Sequence, residues 1–133
     1  MGLVYDCKGD YENALKYYQN ALNIKLLTIG EKHPDTAATY NNMGLVYFKK
    51  GDYENALKYY QNALNIYLVT IGEKHPDTAT TYNNMGFVYD SKGDYENALK
   101  YYQNAFNICL ITLGENHPST SNTYNNIKLL KRK

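Results

Sequence analysis

Between residues 52 and 72, apolar side chains recur at intervals of three and four, which is the spacing of an amphipathic α-helix. The apolar positions are Tyr53, Ala56, Leu57, Tyr60, Ala63, Leu64, Tyr67, Leu68 and Ile71. Asp52 is a favourable N-cap residue in front of them, and Gly72 is placed to end the helix in a left-handed conformation. The pattern therefore predicts a long helix between Asp52 and Gly72.

A second, shorter helix follows after only a few residues. Pro76 suits a first helical turn, and the carboxylate of Asp77 lies near the positive end of the helix that would follow. We expect this helix to continue to about Ser91 and to stop at Gly93. No stretch of the chain alternates with the period of two that indicates a β-strand, so the fold class is predicted to be all-α, built from antiparallel helix pairs.

The same pattern occurs three times along the 133 residues. GDYENALKYYQNAL begins at Gly9 and at Gly51, and GDYENALKYYQNAF begins at Gly93, so the period is 51 − 9 = 93 − 51 = 42 residues. Near-identical units predict a stack of identical building blocks. The predicted organisation is one solenoid over 1–133, with a partial helix at 1–8, units at 9–50, 51–92 and 93–133, and a terminal helix at 118–131.

Composition adds little electrostatic character. The formal net charge is +1, from 14 basic and 13 acidic residues, which disfavours nucleic acid and anionic membranes as partners. The longest apolar runs, such as residues 108–113, are far too short to span a bilayer. Cys7 and Cys109 occupy unmatched phases of the repeat, which indicates reduced thiols and a cytoplasmic location rather than a disulfide or metal framework. We expect no cofactor.

Residues 40–64, YNNMGLVYFKKGDYENALKYYQNAL, resemble the tetratricopeptide repeat. The matching positions, in order, are Tyr40, Gly44, Tyr47, Gly51, Tyr53, Ala56, Tyr60 and Ala63. The usual repeat has about 34 residues. The surplus here lies in residues 64–79, and this lengthened second helix followed by an HP dipeptide is similar to repeats of the kinesin-light-chain type. The resemblance implies a right-handed α-solenoid whose shorter helices line a concave groove, and a non-enzymatic scaffold that binds a protein or peptide.

Glycines interrupt the predicted short helices. Gly44 and Gly86 cost helix stability, and we expect them to permit close backbone approach opposite small residues such as Ala56 and Ala98. Lys128 stands at the corresponding position of the last short helix. Because its side chain would block a following helix, the sequence predicts that this helix ends the stack.

Pairs of asparagines recur in the short helices, in TYNNMG at 39–44 and 81–86 and in TYNN at 123–126. Positions 38, 41, 42, 45, 48 and 49 share one helical face, and four of the six mismatches between 9–50 and 51–92 lie at this face. An amide both donates and accepts, which suits a peptide backbone, and groove asparagines hold backbones in the family that this chain resembles. The predicted peptide-binding residues are Asn41, Asn42, Leu45, Phe48, Lys49, Asn83, Asn84, Phe87, Asp90, Asn125 and Asn126.

Other interpretations stay open. One Asn of each pair could bond a neighbouring helix for packing, and both roles can coexist, one for each Asn. The stack ends could also join copies head to tail into a homo-oligomer, or the chain could be one part of a larger array.

No catalytic or metal-binding constellation is evident. His33, His75 and His117 each precede a proline and lie 42 residues apart, so they are predicted to be helix-start residues rather than metal ligands. No nucleophile–base set and no glycine-rich phosphate loop occurs. An enzyme is therefore not expected.

Overall fold

The computed structural model describes residues 10–133, which form six α-helices and no β-strand. The helices are α1 Tyr11–Thr28, α2 Pro34–Lys49, α3 Tyr53–Thr70, α4 Pro76–Lys92, α5 Tyr95–Leu113 and α6 Pro118–Leu130. Long and short helices alternate as expected, and the all-α prediction is confirmed. The predicted partial helix at 1–8, with Cys7, lies outside the described residues.

The helices fall into two compact units, one ending at Thr70 and the other beginning at Ile71. In the first unit α2 packs against both α1 and α3, and in the second α5 packs against both α4 and α6. The grouping into helix pairs at 9–50, 51–92 and 93–133 in one continuous stack stays a prediction.

Tyrosine rings and small residues fill the core of the first unit. Ala14, Tyr18 and Leu22 of α1 pack against Met43 and Val46 of α2. The partly buried tyrosines of α2 and α3 form a stack: the ring centroids of Tyr47 and Tyr59 lie 5.2 Å apart, and those of Tyr40 and Tyr59 lie 6.0 Å apart. Offset aromatic pairs of this kind stabilise beyond the area that they bury.

The second unit repeats this arrangement 42 residues later. Tyr89 stacks on Tyr101 with centroids 5.3 Å apart, and Tyr82 lies 6.0 Å from the same ring. Two buried clusters complete the core: Ala79 with Ala105, Ile108 and Cys109, and Ala98 with Tyr102, Ile127 and Leu130. Tyrosine rings therefore contribute to the packing between helices in both units.

The helix-interior glycines make room for aromatic rings. A Cβ atom added at Gly44 would lie 2.7 Å from Cδ1 and Cε1 of Tyr60, and one at Gly86 would lie 2.6 Å from the same atoms of Tyr102. The atoms nearest to each glycine belong to a tyrosine ring rather than to Ala56 or Ala98, so the contact differs from the expected close approach of two backbones. These rings are almost wholly buried, so the space is fully used.

Side-chain caps start α2 to α6, whereas Asp10, the N-cap residue of α1, makes no side-chain capping bond. Asp52 Oδ1 accepts from the Asn55 backbone N–H at 3.3 Å, and Asp52 Oδ2 accepts from Asn55 Nδ2 at 2.7 Å, as the N-cap prediction requires. The side-chain bond and then the backbone bond from Asn55 lower the pKa of Asp52. The short helices use histidine instead: Nδ1 of His75 accepts from the Asp77 backbone N–H at 3.0 Å, directly before Pro76.

The other two histidines are bound in the same way. Nδ1 of His33 accepts from the backbone N–H of Asp35, and Nδ1 of His117 accepts from that of Ser119, each at 3.0 Å. The prediction that these histidines start helices is confirmed, and each imidazole acts as the capping acceptor. Within residues 10–133, no group of three His, Cys, Asp or Glu side chains is placed to hold a metal ion.

Candidate functional site

On α2, the predicted binding residues lie on a partly exposed face. Asn42 and Lys49 are exposed, whereas Asn41, Leu45 and Phe48 are half-buried. The Phe48 ring lies 5.8 Å from the ring of Tyr53, at the start of α3. This face therefore offers a solvent-accessible amide next to partly covered apolar groups.

On α4 and α6, the asparagine pairs contribute to a contact between helices. Asn126 Nδ2 donates to Asn83 Oδ1 at 3.2 Å, and both residues are half-buried. The first Asn of the α4 pair thus binds the second Asn of the α6 pair. Asn84, half-buried, and Asn125, exposed, take no part in this bond. In this unit one Asn of each pair joins two short helices.

A small cleft of about 120 Å³ lies between α4 and α6, beside the bonded amide of Asn83. Polar side chains of Thr80, Ser119 and Asn122 line it, and Cys109 of α5 contributes to the lining. Burial raises the pKa of the Cys109 thiol. A raised pKa disfavours the nucleophilic thiolate.

At the end of α4, Asp90 is already engaged within the chain. Its Oδ1 lies 2.7 Å from Nζ of Lys133, and its Oδ2 accepts from the Tyr102 hydroxyl at 3.4 Å. The Tyr102 pKa is raised, first by burial and then by the charge of Asp90. Phe87, another predicted peptide-binding residue, is 39% exposed and meets Tyr102 edge-on, with ring centroids 5.6 Å apart.

Two further clefts were not predicted from the sequence. One, of about 390 Å³, is lined by Tyr40 of α2 and by Asn62, Asn65 and Ile66 of α3, among others. The other, of about 250 Å³ in the second unit, is lined by the residues 42 positions later: Tyr82, Asn104, Asn107 and Ile108. The motif QNxxN contributes to both clefts at 61–65 and 103–107, but it also occurs at 19–23, and in the sequence it looks like the polar face of a long helix.

Sequence profiles identify the repeat. The profile of the Tetratricopeptide repeat matches residues 1–67, 35–98 and 77–133, so the matches together extend over the whole chain. The chain belongs to the tetratricopeptide repeat family. Tetratricopeptide repeat proteins are commonly scaffolds for protein interactions and are typically non-enzymatic. No curated protein sequence is similar enough to count as a relative.

Solved structures of similar fold agree with this assignment. BtubC (BKLC) from P. vanneervenii superimposes with a TM-score of 0.86 at 26% identity, over 98% of this chain and 52% of that one. A Podosopora anserina protein, named as a kinesin light chain candidate with nearly identical TPR-like repeats, gives 0.84 at 19% identity, over 97% of this chain and 61% of that one. The resemblance to kinesin-light-chain-type repeats is confirmed.

This chain spans about half of BtubC and about three fifths of the Podosopora anserina protein.

Among residues 10–133, no helix has both the length and the apolar composition that crossing a membrane requires.

Proposed function

We propose that this tetratricopeptide repeat chain is a non-enzymatic cytoplasmic scaffold. It would bind a peptide segment in a concave groove lined by its shorter helices, as membership of the family implies. The observation that carries the proposal is that the two amides of an asparagine pair differ in their contacts. Asn83 and Asn126 bind each other, whereas Asn84 and Asn125 lie outside that bond. In the α4 and α6 pairs, a packing role alone accounts for one amide and leaves the other unexplained.

The chemistry of the second amide suits an extended peptide. An amide side chain donates and accepts at once, as a peptide backbone does, so it binds backbone with little regard for sequence. The neighbouring positions differ between units, with Leu45 and Phe48 on α2 and Phe87 and Asp90 on α4. We propose that these variable side chains select the ligand while the amides hold it.

The test replaces one asparagine of each pair with alanine, in a single triple variant. We expect Asn42→Ala/Asn84→Ala/Asn125→Ala to weaken binding of a peptide selected from a random library at least about tenfold, since each net hydrogen bond contributes about 0.5–1.5 kcal/mol. Isothermal titration gives the affinity, and circular dichroism checks that helicity is retained. Asn20→Ala, at an exposed position of α1, is the matched control and should bind as the parent does.

Either of two outcomes would contradict the proposal. One is unchanged affinity in the triple variant. The other is a loss of affinity accompanied by unfolding, which would assign these amides to packing. Asn83→Ala/Asn126→Ala supplies the comparison, because it removes the bond between α4 and α6 and should lower stability.

Self-association is a second candidate, favoured by an exposed apolar face on α1. Ile24 is 62% exposed, whereas its counterparts Ile66 and Ile108 are 9% and 8% exposed. In the second unit Ile108 packs with Ala79 and Tyr82 of α4. A short helix from another copy would cover Ile24 in the same way. Light scattering over a hundredfold range of concentration decides: growing mass supports self-association, and a constant monomer mass rejects it.

A further inference from the structure

Two side chains, those of Asp90 and Tyr95, contact one ammonium group where α4 is followed by α5. Nζ of Lys133 lies 2.7 Å from Asp90 Oδ1 and 5.4 Å from the centroid of the Tyr95 ring. The hydroxyl of Tyr102 donates to the other carboxylate oxygen of Asp90 at 3.4 Å, which orients the carboxylate. A carboxylate beside an aromatic face is a favourable environment for a cation, because charge and ring quadrupole both attract it.

This arrangement is a property of the second unit. The residues 42 positions earlier than Asp90, Tyr95 and Tyr102 are Phe48, Tyr53 and Tyr60. In the first unit the Phe48 ring packs against Tyr53, 5.8 Å apart, where the second unit has a carboxylate. The two tyrosines are therefore shared by both units, and the carboxylate alone creates the cation site.

Lys133 is held weakly enough to be replaced. Its side chain is 44% exposed, and that of Asp90 is 20% exposed. Ion pairs open to solvent stabilise little and are weakened by salt. The Asp90 hydrogen bond raises the pKa of Lys133, so the ammonium stays charged. Lys133 thus occupies the site as an intramolecular ligand that a second ammonium can displace.

We propose that Asp90, Tyr95 and Tyr102 form a binding site for a lysine side chain of a bound peptide, and that Lys133 fills the site when the peptide is absent. The inference deepens the proposed function, since it rests on α4 being a peptide-binding face. It adds the partner's chemistry: the ligand carries a primary ammonium that reaches the end of α4. The predicted selector Asp90 then acts by charge.

The test uses the whole chain and a matched pair of probes: the peptide acetyl-Ala-Ala-Lys-Ala-Ala-amide and the same peptide with norleucine in place of lysine. Chemical shifts of the Asp90 carboxyl carbon and of the Tyr95 and Tyr102 rings report occupancy. We expect the lysine probe alone to shift these signals. In Lys133→Ala its Kd should fall about two- to fivefold, because an exposed ion pair favours its closed form by about that ratio.

Two carboxylate variants, both made in the Lys133→Ala background, test the role of Asp90. Asp90→Asn should abolish the preference for lysine over norleucine, and Asp90→Phe, which installs the residue of the first unit, should do the same. Glu96→Gln removes an equal charge from an exposed carboxylate on α5 and should leave the preference intact. Circular dichroism of each variant verifies the fold.

The proposal is overturned if both probes shift the same signals, if Asp90→Asn and Glu96→Gln behave alike, or if Lys133→Ala leaves the Kd unchanged. Its failure is distinguishable from failure of the proposed function. Library peptides that need Asn84 but bind equally well to Asp90→Phe would support the groove and reject this site. If binding of the lysine probe requires Asp90 but library peptides bind equally well without the three amides, this site is supported and peptide binding by the amides is rejected.

Discussion

Gly86→Ala is expected to lower the free energy of unfolding by about 1–3 kcal/mol, the range that overpacking a well-packed core costs. Alanine is intrinsically the better helix former by about 1 kcal/mol, so propensity alone predicts the opposite sign. The added Cβ would lie 2.6 Å from two ring atoms of Tyr102, whose side chain is fully buried. Because the surrounding core fixes the ring, relief requires α4 and α5 to separate locally.

A double-mutant cycle isolates this contact. Tyr102→Ala alone should cost about 3–5 kcal/mol, as other large-to-small changes of buried aromatics do. In the Tyr102→Ala background, Gly86→Ala should lose its penalty, since the ring that the methyl group meets is gone. Urea denaturation of the four proteins gives the coupling energy. Stabilisation by Gly86→Ala in the parent would mean that the ring yields freely, and the steric explanation would be wrong.

Thr36, Thr78 and Thr120 occupy equivalent positions, but only Thr36 and Thr78 are expected to lose stability when valine replaces them. Thr78→Val is expected to destabilise by about 1–3 kcal/mol, because Thr78 Oγ1 donates to the Gly72 carbonyl oxygen at 2.8 Å and valine leaves that acceptor unpaired. Thr36 makes the same bond to Gly30 at 2.8 Å in the first unit, so Thr36→Val should match it. Urea denaturation of each variant measures the change.

Thr120 provides the internal control. Its Oγ1 is buried and has no hydrogen-bond partner among residues 10–133. Thr120→Val removes a desolvated hydroxyl without losing a bond, so we expect a change between zero and about 1 kcal/mol of stabilisation. At the equivalent position after α5, the Gly114 carbonyl oxygen accepts from the backbone N–H of His117 at 3.3 Å. Equal losses in Thr78→Val and Thr120→Val would refute the assignment.

Local chemistry determined the helices, and the sequence displays it directly. Asp52 caps α3, histidine and proline start α2, α4 and α6, and Gly93 ends α4 in the left-handed conformation that its missing side chain permits. These signals act within a few residues of where they stand, and the 42-residue period copies them three times. Helix type, order and approximate bounds therefore followed from the sequence alone, as did the family.

Only the tertiary structure decided which side chains meet. The Asn83–Asn126 and Asp90–Lys133 contacts each join residues 43 positions apart. In the sequence both asparagines of a pair share one helical face and look equivalent, and Asp90 looks like a free acid. Helix–helix distance and rotation give them different partners. The same holds for Gly86, because a pattern of small residues reveals that something packs closely there but not that it is a tyrosine ring. Contacts of this kind depend on how whole helices dock, and short-range sequence patterns carry no information about docking geometry.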